Sequence, residues 1–137
     1  MTVSGIVDYA STMYSVRVEA DFAAAHYLTH YHGKCERLHG HNYRVRVWAR
    51  GHELDEGGML MDFGILKKSL RSVCSQLDHS NLNEVEDFKG DPSAERIAKY
   101  IYDTMKQILK AEDADVSLLS AVEVYETPIN MARYEPD

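Results

Sequence analysis

Cysteine is scarce in this chain: two in 137 residues, Cys35 and Cys74. Two thiols cannot build the disulfide framework of a small secreted domain, and free thiols fit a reducing compartment, so a cytoplasmic location is expected. Proline (3) and glycine (8) are too few for a low-complexity or disordered chain. No apolar run approaches the roughly 18–20 residues a membrane helix needs. Residues 1–15, MTVSGIVDYASTMYS, contain neither Lys nor Arg, which makes them a poor signal peptide. Basic residues are also in deficit, 15 against 22 acidic, for a formal net charge of -7. A surface of that sign repels phosphate backbones, so neither nucleic acid nor a membrane is an expected partner. A local basic pocket for a small anion remains compatible with it.

What is present describes one ordinary globular domain over residues 1–137, with 45% hydrophobic and 27% charged residues. Val16 and Val18 alternate with Arg17 and Glu19, which predicts a strand over residues 13–22. From residue 22 to 40 the alternation stops and an irregular loop is expected. It resumes at residues 41–50, with Tyr43, Val45, Val47 and Ala49 on one face. Asp62 is placed to cap a helix. Behind it, Phe63, Leu66, Leu70, Val73 and Leu77 recur at helical spacing. Asp91-Pro92 reads as a cap with proline at the first helical position, opening a second helix with Ala94, Ile97, Ile101, Met105 and Ile108 as its stripe. Residues 116–126 read as a third strand and 132–134 as a fourth. The expected class is α+β, an antiparallel four-stranded sheet with both helices on one face. Its open edges call for assembly into a closed oligomer.

Seven histidines are present, five of them between His26 and His41. His39 and His41, two apart on a strand, point to one side and can converge on one ion, and Gly40 between them allows close backbone approach. Zinc commonly takes three protein nitrogens and keeps a fourth position open. His26, His30 and His32 are all candidates for the third ligand. Surface histidines in a polar loop, or a cupin-like metal barrel, would give the same pair; the barrel requires many more strands and no central helix pair. Cys35, flanked by Lys34 and Arg37, has surroundings that favour a thiolate, suited to a base, a nucleophile or a fourth ligand. Cys74 falls beside a core position and is expected to pack. Asp78-His79 closes the first helix, as a carboxylate–imidazole relay or simply as a helix end.

Five stretches in order, Phe22-Ala23-Ala24-Ala25-His26, Cys35-x-x-x-His39-Gly40-His41-Asn42-Tyr43, Leu77-Asp78-His79-Ser80-Asn81-Leu82-Asn83, Pro92-Ser93-Ala94-Glu95 and Tyr125-Glu126-Thr127, resemble the 6-pyruvoyl-tetrahydropterin synthase family. The three residues between Cys35 and His39 resemble its bacterial 6-carboxy-tetrahydropterin synthase branch, which serves queuosine biosynthesis. The resemblance implies the tunnelling fold, ββααββ, with subunits closing their sheets into a barrel as a homohexamer. It implies Zn2+ held by His26, His39 and His41, and Cys35 as the group that abstracts a substrate proton. Asp78 and His79 would complete the triad from a neighbouring subunit, Glu126 would be a further active-site carboxylate, and Glu95 would anchor the pterin ring. For Glu95, a charge meeting the helix dipole is the competing role. The implied substrate is 7,8-dihydroneopterin triphosphate, and the implied products are 6-carboxy-tetrahydropterin, acetaldehyde and triphosphate. Pyruvoyl-tetrahydropterin synthesis and a non-catalytic zinc-binding module are the alternatives. Glu36 is a departure to follow, because a relative with glutamate in place of the cysteine cleaves dihydroneopterin compounds.

Overall fold

The structure, a computed structural model, describes residues 12–33 and 35–137. Most of the segment assessed as a leader, and Lys34, lie outside the described residues. Strand β1 (Tyr14–His26) runs antiparallel to β2 (His39–Gly51) in unbroken register, from Tyr14 opposite Gly51 to His26 opposite His39. The period of two sorts the side chains. Val18, Phe22, Ala24 and His26 of β1, with Tyr43, Val45, Val47 and Ala49 of β2, are buried on one face.

Two helices cover that face. Helix α1 (Phe63–Leu77) is capped as its sequence demands: the Asp62 carboxylate accepts from the Gly64 amide at 2.7 Å. Leu66, Leu70, Val73 and Leu77 are buried, whereas Phe63, read as part of the stripe, is exposed in the first turn. Cys74 is buried, as expected of a packing residue, and burial pushes its thiol up to about 12. Helix α2 (Ala94–Ala111) starts later than the Asp91-Pro92 reading implies. Ser93 is the cap, its hydroxyl accepting from the Arg96 amide at 3.2 Å, and Pro92 precedes the helix. The Asp91 side chain is therefore free for other work. Ile97, Ile101 and Met105 are fully buried as the stripe predicts, joined by Ala98, Tyr102 and Leu109.

The sheet has five strands, one more than the sequence pattern shows, in the order β3-β1-β2-β4-β5. The addition is β3 (Ser80–Asn81), two residues pairing in parallel with Ala24 and Ala25, too short to show a period. Strand β4 (Leu119–Thr127) begins three residues later than expected. Asp115 caps a short 3-10 turn at Val116–Leu118, taking the Ser117 amide at 3.0 Å. Strand β5 (Asn130–Tyr134) completes the sheet. The architecture is α+β, in ββααββ order apart from the two-residue β3 between the helices, and the helix pair rules out the cupin-like alternative.

The other sheet face carries no helix among the described residues and is strongly charged. Glu19 pairs with Arg46, Arg44 lies 3.1 Å from Asp21, and Glu123 lies 2.6 Å from Arg133. Arg17 and Arg133 both sit over the Trp48 ring, and Arg46 over Tyr125. Those pairs keep a wet face ordered without burying an unpaired charge.

Candidate metal centre and its surroundings

Register alone assembles the histidines. His26 and His39 are partners across β1 and β2, and His41 sits two residues along on the same face. Their ring centroids are 4.6, 4.8 and 5.0 Å apart, and one ligand nitrogen from each lies within 4.8 Å of the others. The backbone also sets the tautomers. Nδ1 of His26 is 2.8 Å from the Pro92 carbonyl, and Nδ1 of His39 is 2.8 Å from the Arg37 carbonyl. A carbonyl oxygen only accepts, so both Nδ1 atoms carry the hydrogen and both Nε2 lone pairs are left free. Nε2 of His41 is buried with no hydrogen-bond partner among the described residues.

A buried, unpartnered nitrogen and two nitrogens freed by carbonyls are what a cation would satisfy. Three imidazoles suit a borderline metal such as zinc. Burial lowers the pKa of His41, opposed by the nearby Glu126 carboxylate, and so favours the neutral, ligating imidazole. Glu126 reaches the same spot from β4, its two oxygens 3.9 Å from Nε2 of His26 and 3.8 Å from Nε2 of His41. Those separations are too long for hydrogen bonds. Tyr43, which the sequence places only in the core, forms the floor: it stacks on Phe22 at 4.7 Å and meets His41 edge-on at 5.4 Å. Gly40 has room beside its α-carbon. A Cβ there would meet only the Ala24 carbonyl at 3.6 Å, an ordinary contact.

His30 and His32 stay outside the trio. His30 is exposed and bonded to Asp91 at 2.6 Å, and His32 packs edge-on against Tyr31. Cys35 lies exposed on the loop of residues 27–38, which leaves and rejoins the sheet at His26 and His39. Its thiol points to the Thr29 carbonyl at 3.9 Å, a long contact. Glu36 is occupied: its carboxylate accepts from the Leu28 amide at 2.9 Å, and its own amide donates to the Leu28 carbonyl at 2.9 Å. That carboxylate fastens the loop, which argues against it as a substitute base.

Asp78 and His79 do form a pair, with Nδ1 of His79 2.7 Å from one Asp78 oxygen, while the other oxygen accepts from the Ala23 amide at 2.8 Å. No hydrogen bond joins His79 to Cys35 among the described residues. The His79 backbone is left-handed, φ 57°, and its exposed ring borders a cleft of about 420 Å³ together with Ala23, Ala25, Gly40, His41 and Asn42. Glu95 is exposed in the first turn of α2, with no hydrogen bond or ion pair among the described residues. Its position there suits the helix dipole.

Two carboxyls near the site are held below the usual carboxylate range. For Asp78 the Ala23 amide is the main cause, then His79; for Asp91 it is the Thr29 hydroxyl, then His30. Each folded-state value lies below the ordinary 3.8. The stabilisation is thus fully present above that pH and is lost as pH falls through the folded values. Melting temperature should fall between about pH 5 and pH 2, and the Asp78→Asn, Asp91→Asn double variant should lose less over that range. The difference will be modest, because water screens both groups. Equal acid slopes in parent and variant would contradict this assignment.

Comparison with known proteins agrees with the geometry. The profile of the family described as 6-pyruvoyl tetrahydropterin synthase matches residues 15–137. A 6-carboxy-5,6,7,8-tetrahydropterin synthase of Synechocystis is 42% identical over 127 residues, covering 89% of this chain and 93% of the relative. A Bacillus subtilis protein of the same name is 36% identical over 142 residues, covering 98% and 94%. Among solved structures, the 6-pyruvoyl tetrahydropterin synthase of Caenorhabditis elegans superposes with a TM-score of 0.79 at 31% identity, over 91% of this chain and 96% of that one.

Proposed function

The chain belongs to the 6-pyruvoyl tetrahydropterin synthase family, and from that premise we propose that it is a zinc-dependent 6-carboxy-tetrahydropterin synthase. The substrate would be 7,8-dihydroneopterin triphosphate, with acetaldehyde and triphosphate released. The observation that carries this reading is the trio of imidazoles with three unused Nε2 atoms, at the neck of the loop that bears Cys35. His26, His39 and His41 would hold the zinc. When bound, it would supply Lewis-acid polarisation of side-chain oxygens.

The chain's own groups account for the proton traffic. Cys35 would take a proton from the substrate side chain. His79, oriented by Asp78, would act as the partner acid or base. The exposed ring of His79 borders a cleft beside the sheet, which supports service of the pair to a neighbouring subunit of a homohexamer. Glu126, beside the trio, is suited to the guanidine-like edge of a pterin through paired hydrogen bonds, and Glu95 would be the second such carboxylate. The free thiols fit a reducing, cytoplasmic setting. Among the described residues no helix is long and apolar enough to cross a membrane.

The second reading is pyruvoyl-tetrahydropterin synthesis, favoured by the likeness to the Caenorhabditis elegans structure. Mass spectrometry of products from dihydroneopterin triphosphate separates the two. A carboxypterin with acetaldehyde is expected. A pyruvoyl pterin would replace the first reading with the second, and a hydroxymethyl pterin would overturn both.

A further inference from the structure

The loop of residues 27–38 begins and ends at two candidate metal ligands, yet it contains almost no regular structure to hold its shape. Its order comes from side chains that bond its backbone. Asn83 accepts from the Tyr27 amide at 2.8 Å and donates to the Tyr27 carbonyl at 2.8 Å. Glu36 ties Leu28. Asp91 makes three bonds to two consecutive residues: one oxygen takes the Thr29 amide at 2.5 Å and the Thr29 hydroxyl at 2.7 Å, and the other takes Nδ1 of His30 at 2.6 Å. The one polar group of Thr29 left over is its carbonyl, which faces the Cys35 thiol.

We propose that Asp91 is a positioning residue for Cys35, acting through Thr29. The carboxylate does not cap α2, since Ser93 does that, and its only ionic partner among the described residues, His30, is exposed. Its acceptors are instead spent on the amide and hydroxyl of Thr29 and the imidazole of His30, the two residues that flank the carbonyl facing the thiol. Asp91 is itself braced: its amide donates to the Phe88 carbonyl at 3.0 Å, the Arg96 guanidinium reaches its carbonyl at 3.4 Å, and the Pro92 carbonyl beside it receives His26. A stiff turn thus sets both the ring of one metal-site histidine and the residue whose carbonyl faces the thiol. A displacement of about 1 Å at a reacting group costs on the order of 100-fold in rate. The inference rests on the reading of Cys35 as the proton-moving group.

The test uses zinc-loaded Asp91→Ala and Asp91→Asn proteins, measuring kcat, KM, zinc per chain, and amide exchange over residues 27–36. In Asp91→Ala, kcat should fall roughly 10- to 100-fold, KM should stay within about threefold, zinc content should be unchanged, and exchange should rise in the loop while β1 and β2 stay protected. Asp91→Asn, which retains an oxygen for the Thr29 amide, should recover part of kcat. Unchanged kcat, no recovery with Asn, or a loss of kcat matched by a loss of zinc would each overturn the proposal. Unchanged loop exchange would overturn it too. Exchange needs no substrate, so a parent protein inactive on pterins would sink the reading of Cys35 by a different measurement.

Discussion

Cys35→Ala should lower turnover of dihydroneopterin triphosphate by about 100- to 10,000-fold, the range a positioned acid–base group commonly supplies. Zinc content and melting temperature should be almost unchanged. The separation of effects follows from where the residue sits. Cys35 is exposed on a loop, and its one polar contact among the described residues is a long one to the Thr29 carbonyl. Loss of the exposed sulfur there leaves no buried cavity, so the cost falls on chemistry. The three imidazoles are oriented by the Pro92 and Arg37 carbonyls and by strand register, none of which involves the thiol. Full activity of Cys35→Ala would leave a non-catalytic zinc-binding module as the reading to pursue. Loss of zinc in the same variant would make the cysteine a fourth ligand.

His41→Ala gives the second large effect, on the metal. Changing an outer-shell partner of a metal-bound histidine commonly costs 10- to 100-fold in affinity, so removing a ligand should cost more than about 100-fold. His41 is the informative choice. Among the described residues its Nε2 has no hydrogen bond to lose, whereas His26 is almost fully buried and its removal would also hollow the core. Titration with zinc, read as a rise in melting temperature, should show a clear shift for the parent and little for the variant. Chelation should inactivate the parent, and added zinc should restore it. An identical zinc response in both proteins would remove the trio from the argument.

How much of this was legible beforehand can be traced residue by residue. The period-two run from Tyr43 to Ala49 and the stripes of α1 and α2 were plain, because each buries one face and leaves the other wet. The end of β1 was not. Ala23, Ala24 and Ala25 put small side chains on both faces, so alternation vanishes although the strand continues to His26. Parity was the overlooked signal: His26 shares its face with Val18 and Phe22, which His30 and His32 could not do once the strand had ended. Asp91-Pro92 was misread for a different reason. Local sequence offered a helix cap, while the carboxylate's actual partners are about sixty residues away in sequence. Long-range bonds of that kind leave no periodic mark. A link from Asp78 and His79 to Cys35 leaves no such mark either, and among the described residues no hydrogen bond joins them.

The pairing of His26 with His39 has one more consequence. Sliding β1 past β2 by a single residue would send one imidazole to the helix side and its mate to the charged side, so no ion could bridge them. Metal capture would therefore select against slips of the hairpin by an odd number of residues. A bound ion would act as a proofreader of strand alignment while the protein folds.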